Sequence, residues 1–231
     1  MKLTFVVAVL LQFLSFVPTV EAAVPVRVAL TYTMSRNGTA AVELKEVLQH
    51  DGKTYALSSE GKAKGLLSLI LRGSLSTSSR GAVSTDGLKP AEYRDQRGER
   101  THGARFDYER RLIVLNDNGS SDTKPLASGT QDRLSVLYSF AFHMPGAAEF
   151  EIQVTDGRGV STYRYANGGT ETLRTPMGPL EAVHLVKRRD GPDDKTTELW
   201  LAREHHFLPV RMLIVEKDGT RIDQTISKIE Y

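Results

Sequence analysis

Residues 129–146, GTQDRLSVLYSFAFHMPG, are the one stretch with a sustained helical period in a chain that otherwise reads as short alternating runs and turns. The spacing predicts a helix over residues 131–144. Thr130 would cap it, Asp132 would sit in the first turn where the helix dipole favours negative charge, and Pro145-Gly146 would stop it. At 100° per residue, Leu134, Val136, Leu137, Tyr138, Phe140, Ala141, Phe142 and Met144 cover roughly two-thirds of the circumference, wider than the apolar stripe of a surface helix. Such a helix needs partners on more than one side, supplied by a sheet that curls around it or by a groove closed with loops. The remaining stripe, Asp132, Ser135, Ser139 and His143, reads as a solvated polar face. A Ser/His/Asp hydrolase reading fails, because an exposed nucleophile on a sharp turn, an oriented base and an oxyanion hole do not follow from residues along one helix.

Outward from this helix the pattern is β. Val24 to Met34 alternates with period two, Asn37-Gly38 turns the chain, and Val42, Leu44 and Leu48 lie on the returning strand. Similar steps follow to the C-terminus, giving roughly twelve to fourteen strand candidates joined by turns. Asp117–Ser128 reads as a loop into the helix, and Gly168-Gly169 as a further turn. No βαβ alternation occurs. The expected fold is therefore mainly β, a curved antiparallel sheet or half-barrel enclosing one principal helix, in a single domain over residues 23–231.

Lys2, the apolar run Leu3–Val17 and Val20-x-Ala22 have the order of a secretory signal peptide over residues 1–22, with cleavage expected before Ala23. No later run is long enough to span a bilayer. The chain has no cysteine, which excludes disulfides, thiolate metal sites and a lipid anchor on cysteine. Its net charge of +2 is too small, without basic clusters interleaved with aromatics, to imply nucleic acid as a partner. These features describe an exported, soluble protein of the periplasm.

Candidate chemistry is sparse. Of the histidines only His205 and His206 are adjacent, and no spaced ligand set accompanies them, so no metal or cofactor is expected. Glu60, Asp132 and Glu171 form no pair of defined separation, and no catalytic residue is assigned. Gly61–Gly65 lacks the Gly-Lys-Ser/Thr ending of a phosphate loop. It leads into the apolar run Leu66–Leu71. Leu66, Leu69 and Ile70, with Leu134, Leu137 and Phe140, are the candidate lining of an apolar groove between sheet and helix, suited to a lipid, an acyl chain or a segment of an envelope partner. The alternative is a structural or interaction module of the envelope with a closed core.

Three stretches, Tyr55–Gly61, Gly129–Tyr138 and Leu199–Arg211, occur in an order that resembles the proteobacterial envelope family known as domain of unknown function 3108. The resemblance covers nearly the whole chain after residue 22 and implies no catalytic residues. The pattern Trp200…Leu208-Pro209-Val210-Arg211…Asp218-Gly219…Ile226 is similar to the last hairpins of periplasmic lipoprotein carriers. That likeness implies a curved half-barrel around an apolar cavity, although the several lid helices of the carriers have no counterpart here.

Overall fold

The computed structural model describes residues 23–63, 75–189, 191 and 195–231. The expected signal segment and the Leu66–Leu71 run, including Leu66, Leu69 and Ile70, lie outside the described residues. The first half of the chain forms β1 (Arg27–Arg36), β2 (Thr39–His50), β3 (Thr54–Ala63), β4 (Leu75–Ser84), β5 (Gly87–Arg97), β6 (Arg100–Asp107), β7 (Leu112–Asp117) and β8 (Ser120–Pro125). After β9 (Gln131–Asp132) and the helix α1 (Ser135–Ser139) come β10 (Glu149–Thr155), β11 (Val160–Thr175), β12 (Gly178–Lys187), β13 (Thr196–Ala202), β14 (Leu208–Val215) and β15 (Arg221–Glu230). All fifteen strands belong to one open sheet, in the order β8-β7-β6-β5-β4-β3-β2-β1-β15-β14-β13-β12-β11-β10-β9.

This order is a pair of meanders joined where β1 meets β15, and each tight hairpin is set by its turn residues. Asn37 and Gly38 have φ of 50° and 81°, and Asn118 and Gly119 have 50° and 89°, the left-handed pair that matches the twist of the flanking strands. The only parallel step among the described strands is β9 beside β10, Gln131 opposite Val154. Two local readings need correction. Residues Asp117–Ser128 are not all loop: β8 is an edge strand of Ser, Asp, Thr, Lys and Pro, exposed throughout, so it carries no hydrophobic period to read. Gly168-Gly169 is not a turn but a register shift inside the 16-residue β11, between Asn167 and Thr170.

The larger correction is the helix, which is five residues long instead of spanning 131–144. Asp132 Oδ1 accepts the N–H groups of Leu134 (2.9 Å) and Ser135 (2.7 Å), so the helix begins only at Ser135. Gln131 and Asp132 are drawn instead into β9. Thr130 is no cap: its hydroxyl donates to the Ala127 carbonyl at 2.8 Å. Short polar side chains that bond their own backbone compete with helix in this way.

The wide apolar arc is nonetheless buried on two sides. Leu134 and Tyr138 join a first core with Tyr32, Leu48, Leu57 and Tyr93, while Val136 and Phe140 join a second with Leu185, Leu199 and Leu201. Leu137 packs on both. Around this segment the sheet rolls until its β9–β10 end rests against β5 and β6. Gln131 Nε2 donates to the Leu88 carbonyl at 2.6 Å. A Cβ on Gly157, in the β10–β11 turn, would lie 2.5 Å from Gly103 N on β6. Among the described residues this end meets β5 and β6 through side chains and glycine contacts, without a ladder.

Candidate functional site

The stripe Asp132, Ser135, Ser139 and His143 is not a solvated face. Asp132 and Ser135 have no exposed surface, Ser139 is 7% exposed, and only His143 faces solvent. The three buried residues fasten α1 to the sheet. Ser79 Oγ, on β4, donates to Asp132 Oδ2 at 2.6 Å and is itself 2.8 Å from the Tyr55 hydroxyl on β3. Leu88 N, at the start of β5, donates to Ser139 Oγ at 3.0 Å. Gly87 makes room for this contact, since a Cβ there would fall 2.2 Å from Ser139 Oγ, and its φ of 105° suits glycine. On the adjoining flank, Tyr138 OH donates to Glu46 Oε2 (2.7 Å) and Ser59 Oγ to Glu46 Oε1 (2.9 Å), while Tyr32 OH donates to the Pro209 carbonyl (2.7 Å).

Burial pushes Asp132 up to about 6, against the lowering effect of its hydrogen bonds from Ser79, Ser135 and Leu134. Burial likewise raises Glu46, opposed by Tyr138 and Ser59. Neither carboxyl can meet a substrate where it sits, and Ser135 Oγ is engaged with the Asp132 backbone. The network is an anchoring device, because buried polar groups persist when every member is bonded.

Tyr55 connects this network to a groove at one end of β3–β6. The groove encloses about 710 Å³, with mainly apolar walls that include Tyr55, Ala82, Ala91, Phe106 and Tyr108. Arg80, Lys89 and Arg105 stand among its polar residues, opposed by Glu92, which pairs with Arg80. Lys89 Nζ lies 4.1 Å from the centre of the Tyr108 ring, and the Tyr108 hydroxyl donates to the Pro90 carbonyl at 2.7 Å, which fixes that ring. A second recess of about 790 Å³ shares Lys89 and Tyr108 and runs on past Leu88, Arg111 and Leu126 to Gln131. This second recess lies between the start of β5 and the segment that leads into α1.

Leu134, Leu137 and Phe140 are brought together by α1, but in the core. Leu134 is 4% and Phe140 2% exposed, and Leu137 is half-buried. Phe140 also forms part of the wall of a small recess of about 280 Å³ with His143 and Pro145. Of the groove residues, Tyr55 and Phe106 sit on strands whose alternation reads as ordinary core, and Tyr108 lies in the turn just after β6. What distinguishes them is the open space beside the small side chains of Ala82 and Ala91. His205 and His206 lie at a 3-10 turn (Arg203–His205) and beside it, where both rings contact Tyr231. Among the described residues no group of three His, Cys, Asp or Glu side chains is placed to hold a metal. No helix among them is long and apolar enough to cross a membrane.

The family model described as protein of unknown function DUF3108 matches residues 27–226. The chain belongs to that family. The three stretches that carry the resemblance share the first core, through Tyr55, Leu134 and Trp200; Tyr55 and Asp132 also meet through Ser79, and Trp200 is flanked by the His184 ring at 4.5 Å and the Arg211 guanidinium at 4.6 Å. Among solved structures, a beta-barrel-like protein of domain of unknown function DUF1849 from Brucella abortus has a TM-score of 0.56 at 9% identity, over 89% of this chain and 97% of that one. A candidate lipoprotein from Parabacteroides distasonis has a TM-score of 0.37 at 8% identity, over 90% of this chain and 97% of that one. The Brucella likeness is one of fold. No curated protein matches the chain.

Proposed function

We propose that this DUF3108 protein is a non-catalytic binding module of the cell envelope that takes an amphipathic, anionic ligand in the groove at one end of β3–β6. The carrying observation is the groove itself: about 710 Å³, apolar over most of its wall, with Lys89 and Arg105 beside its aromatic side chains. Ligand sites of this kind combine an apolar lining with a few placed polar groups. An acyl or similarly apolar portion would lie on Tyr55, Phe106 and Tyr108. A negative head would meet the cations. The reading places the ligand one strand group away from the α1 face, because the side chains of Leu134 and Phe140 already fill that space. Export rests on the signal-like order of residues 1–22, and on that reading the exported protein begins at or next to Ala23.

Titration with a fluorescent fatty-acid probe tests this reading. The parent protein should bind saturably, and two substitutions at half-buried or exposed groove positions should weaken it without unfolding the chain. Ala82→Trp fills the apolar space, and Lys89→Glu reverses the charge beside Tyr108. Each should cost about tenfold in affinity, the equivalent of ~1.4 kcal/mol. Absence of binding by the parent, or equal binding by all three proteins, would leave an interaction module with a closed core as the better account.

A further inference from the structure

The seam where the β9–β10 end meets β5 and β6 holds a further recess, which shares no lining residue with the groove. It encloses about 500 Å³ and is lined by the β5–β6 hairpin (Asp95, Arg97, Glu99, Arg100, His102), by Arg133 just after β9, and by Asp156 and Arg158 in the β10–β11 turn. Three segments far apart in sequence thus place four guanidinium groups around one hollow, against three carboxylates. Assembling like charges is costly unless something offsets it. Two of the four are offset locally: Arg97 Nε donates to Asp95 Oδ2 at 3.1 Å, and Arg158 Nε donates to Asp156 Oδ2 at 3.0 Å. Those bonds fix the two side chains and leave both terminal nitrogens of Arg97 and one of Arg158 as uncommitted donors.

Arg133 is different. It is half-buried, its backbone N–H is bonded to the Thr155 carbonyl at 3.1 Å, and its guanidinium forms no ion pair among the described residues. His102 adds a further polar atom in the same wall. Its Nδ1 is buried and lies 2.9 Å from Asp117 Oδ1, but out of line for a hydrogen bond. The hollow is rigidly made, because Gly157 rests on Gly103 with no space for a side chain.

We propose that this recess binds a phosphate-class oxyanion, with Arg133 at its base and Arg97 and Arg158 contributing their uncommitted N–H groups from either side. A tetrahedral oxyanion has enough acceptor oxygens for three guanidinium groups approaching from different directions, whereas a single carboxylate has two. The phosphate could be free in solution or the headgroup of a lipid. The site does not depend on the amphipathic groove.

Calorimetric titration of the full chain with inorganic phosphate, in about 0.15 M sodium chloride so that diffuse attraction is screened, tests the site. Succinate serves as the competing anion, and vesicles of phosphatidylcholine with and without phosphatidic acid test the headgroup source. Saturable binding of phosphate in preference to succinate is expected, weakened about tenfold or more by Arg133→Gln and by the more exposed Arg158→Gln. Arg174→Gln, at an exposed position of β11 outside both the groove and the recess, should leave it unchanged. Binding to phosphatidic-acid vesicles alone, lost in the same two variants, would support the site and assign the phosphate to a lipid. No response to either phosphate source, an equal response to succinate, or unchanged binding by both variants would overturn it.

Discussion

Asp132 has no exposed surface and accepts hydrogen bonds from Ser79 Oγ, Leu134 N and Ser135 N, yet its carboxyl is pushed up to about 6 from an ordinary 3.8. Desolvation therefore outweighs three favourable bonds. Because the folded state holds this proton more tightly than the unfolded state, the group's contribution to stability is complete below about 3.8 and is lost as pH rises through about 6. The loss is at most on the order of 3 kcal/mol. Urea denaturation of the parent and of Asp132→Asn across pH 4 to 7 should show the parent losing stability relative to the variant as pH rises. Parallel curves would mean that the carboxylate is as comfortable inside as in water. Glu46, raised in the same sense, remains in both proteins, so the difference isolates Asp132.

The α1 element shows why the strands were legible and the helix was not. Hairpins announced themselves through Asn37-Gly38 and Asn118-Gly119 and through period-two apolar runs, since each of those signals acts within a few residues. The extent of α1 depends on partners far away in sequence: Ser79 and Tyr55 hold Asp132, Leu88 holds Ser139, and Glu46 holds Tyr138. Helical period over 131–144 could not reveal that Asp132, two residues after Thr130, would accept the N–H groups of Leu134 and Ser135 and delay the helix to Ser135. Nor could alternation on β3 and β6 reveal that Tyr55 and Phe106 would border a groove, because the gap lies beside the small side chains of Ala82 and Ala91 on other strands. The apolar arc itself was readable, and its burial in two clusters follows from its width. If Tyr138–Glu46 is a main tether of the element, Tyr138→Phe should cost about 1–3 kcal/mol by leaving a buried acceptor short of a donor. A double-mutant cycle with Glu46→Gln should give a coupling of about 1 kcal/mol or more. Additive losses would show that the two side chains act independently.

At the scale of the molecule, fifteen strands among the described residues form one sheet that rolls up until its β9–β10 end rests on β5 and β6 without pairing to them. A continuous ladder would have fixed the closure by backbone hydrogen bonds. Here the closure is carried by a few contacts, chiefly Gln131 on Leu88 and the Gly157 turn against Gly103, and the arginine-lined recess lies along that seam. The tightness of the seam can be separated from the backbone preference of its glycine by comparing two positions. Gly157 and Gly219 have similar positive φ, 87° and 81°, so replacing either with alanine imposes a comparable conformational cost of about 1 kcal/mol. Gly219 has nothing within 4 Å of the added Cβ, whereas at Gly157 that atom would meet Gly103 N at 2.5 Å, and backbone cannot step aside as a flexible side chain can. Gly157→Ala should therefore lose a further ~1–3 kcal/mol beyond Gly219→Ala in urea denaturation. It should also weaken phosphate binding at the recess, because Arg158 would move with the turn. Equal losses in the two variants, with binding intact, would show that the β10–β11 turn and β6 lie side by side without being held together.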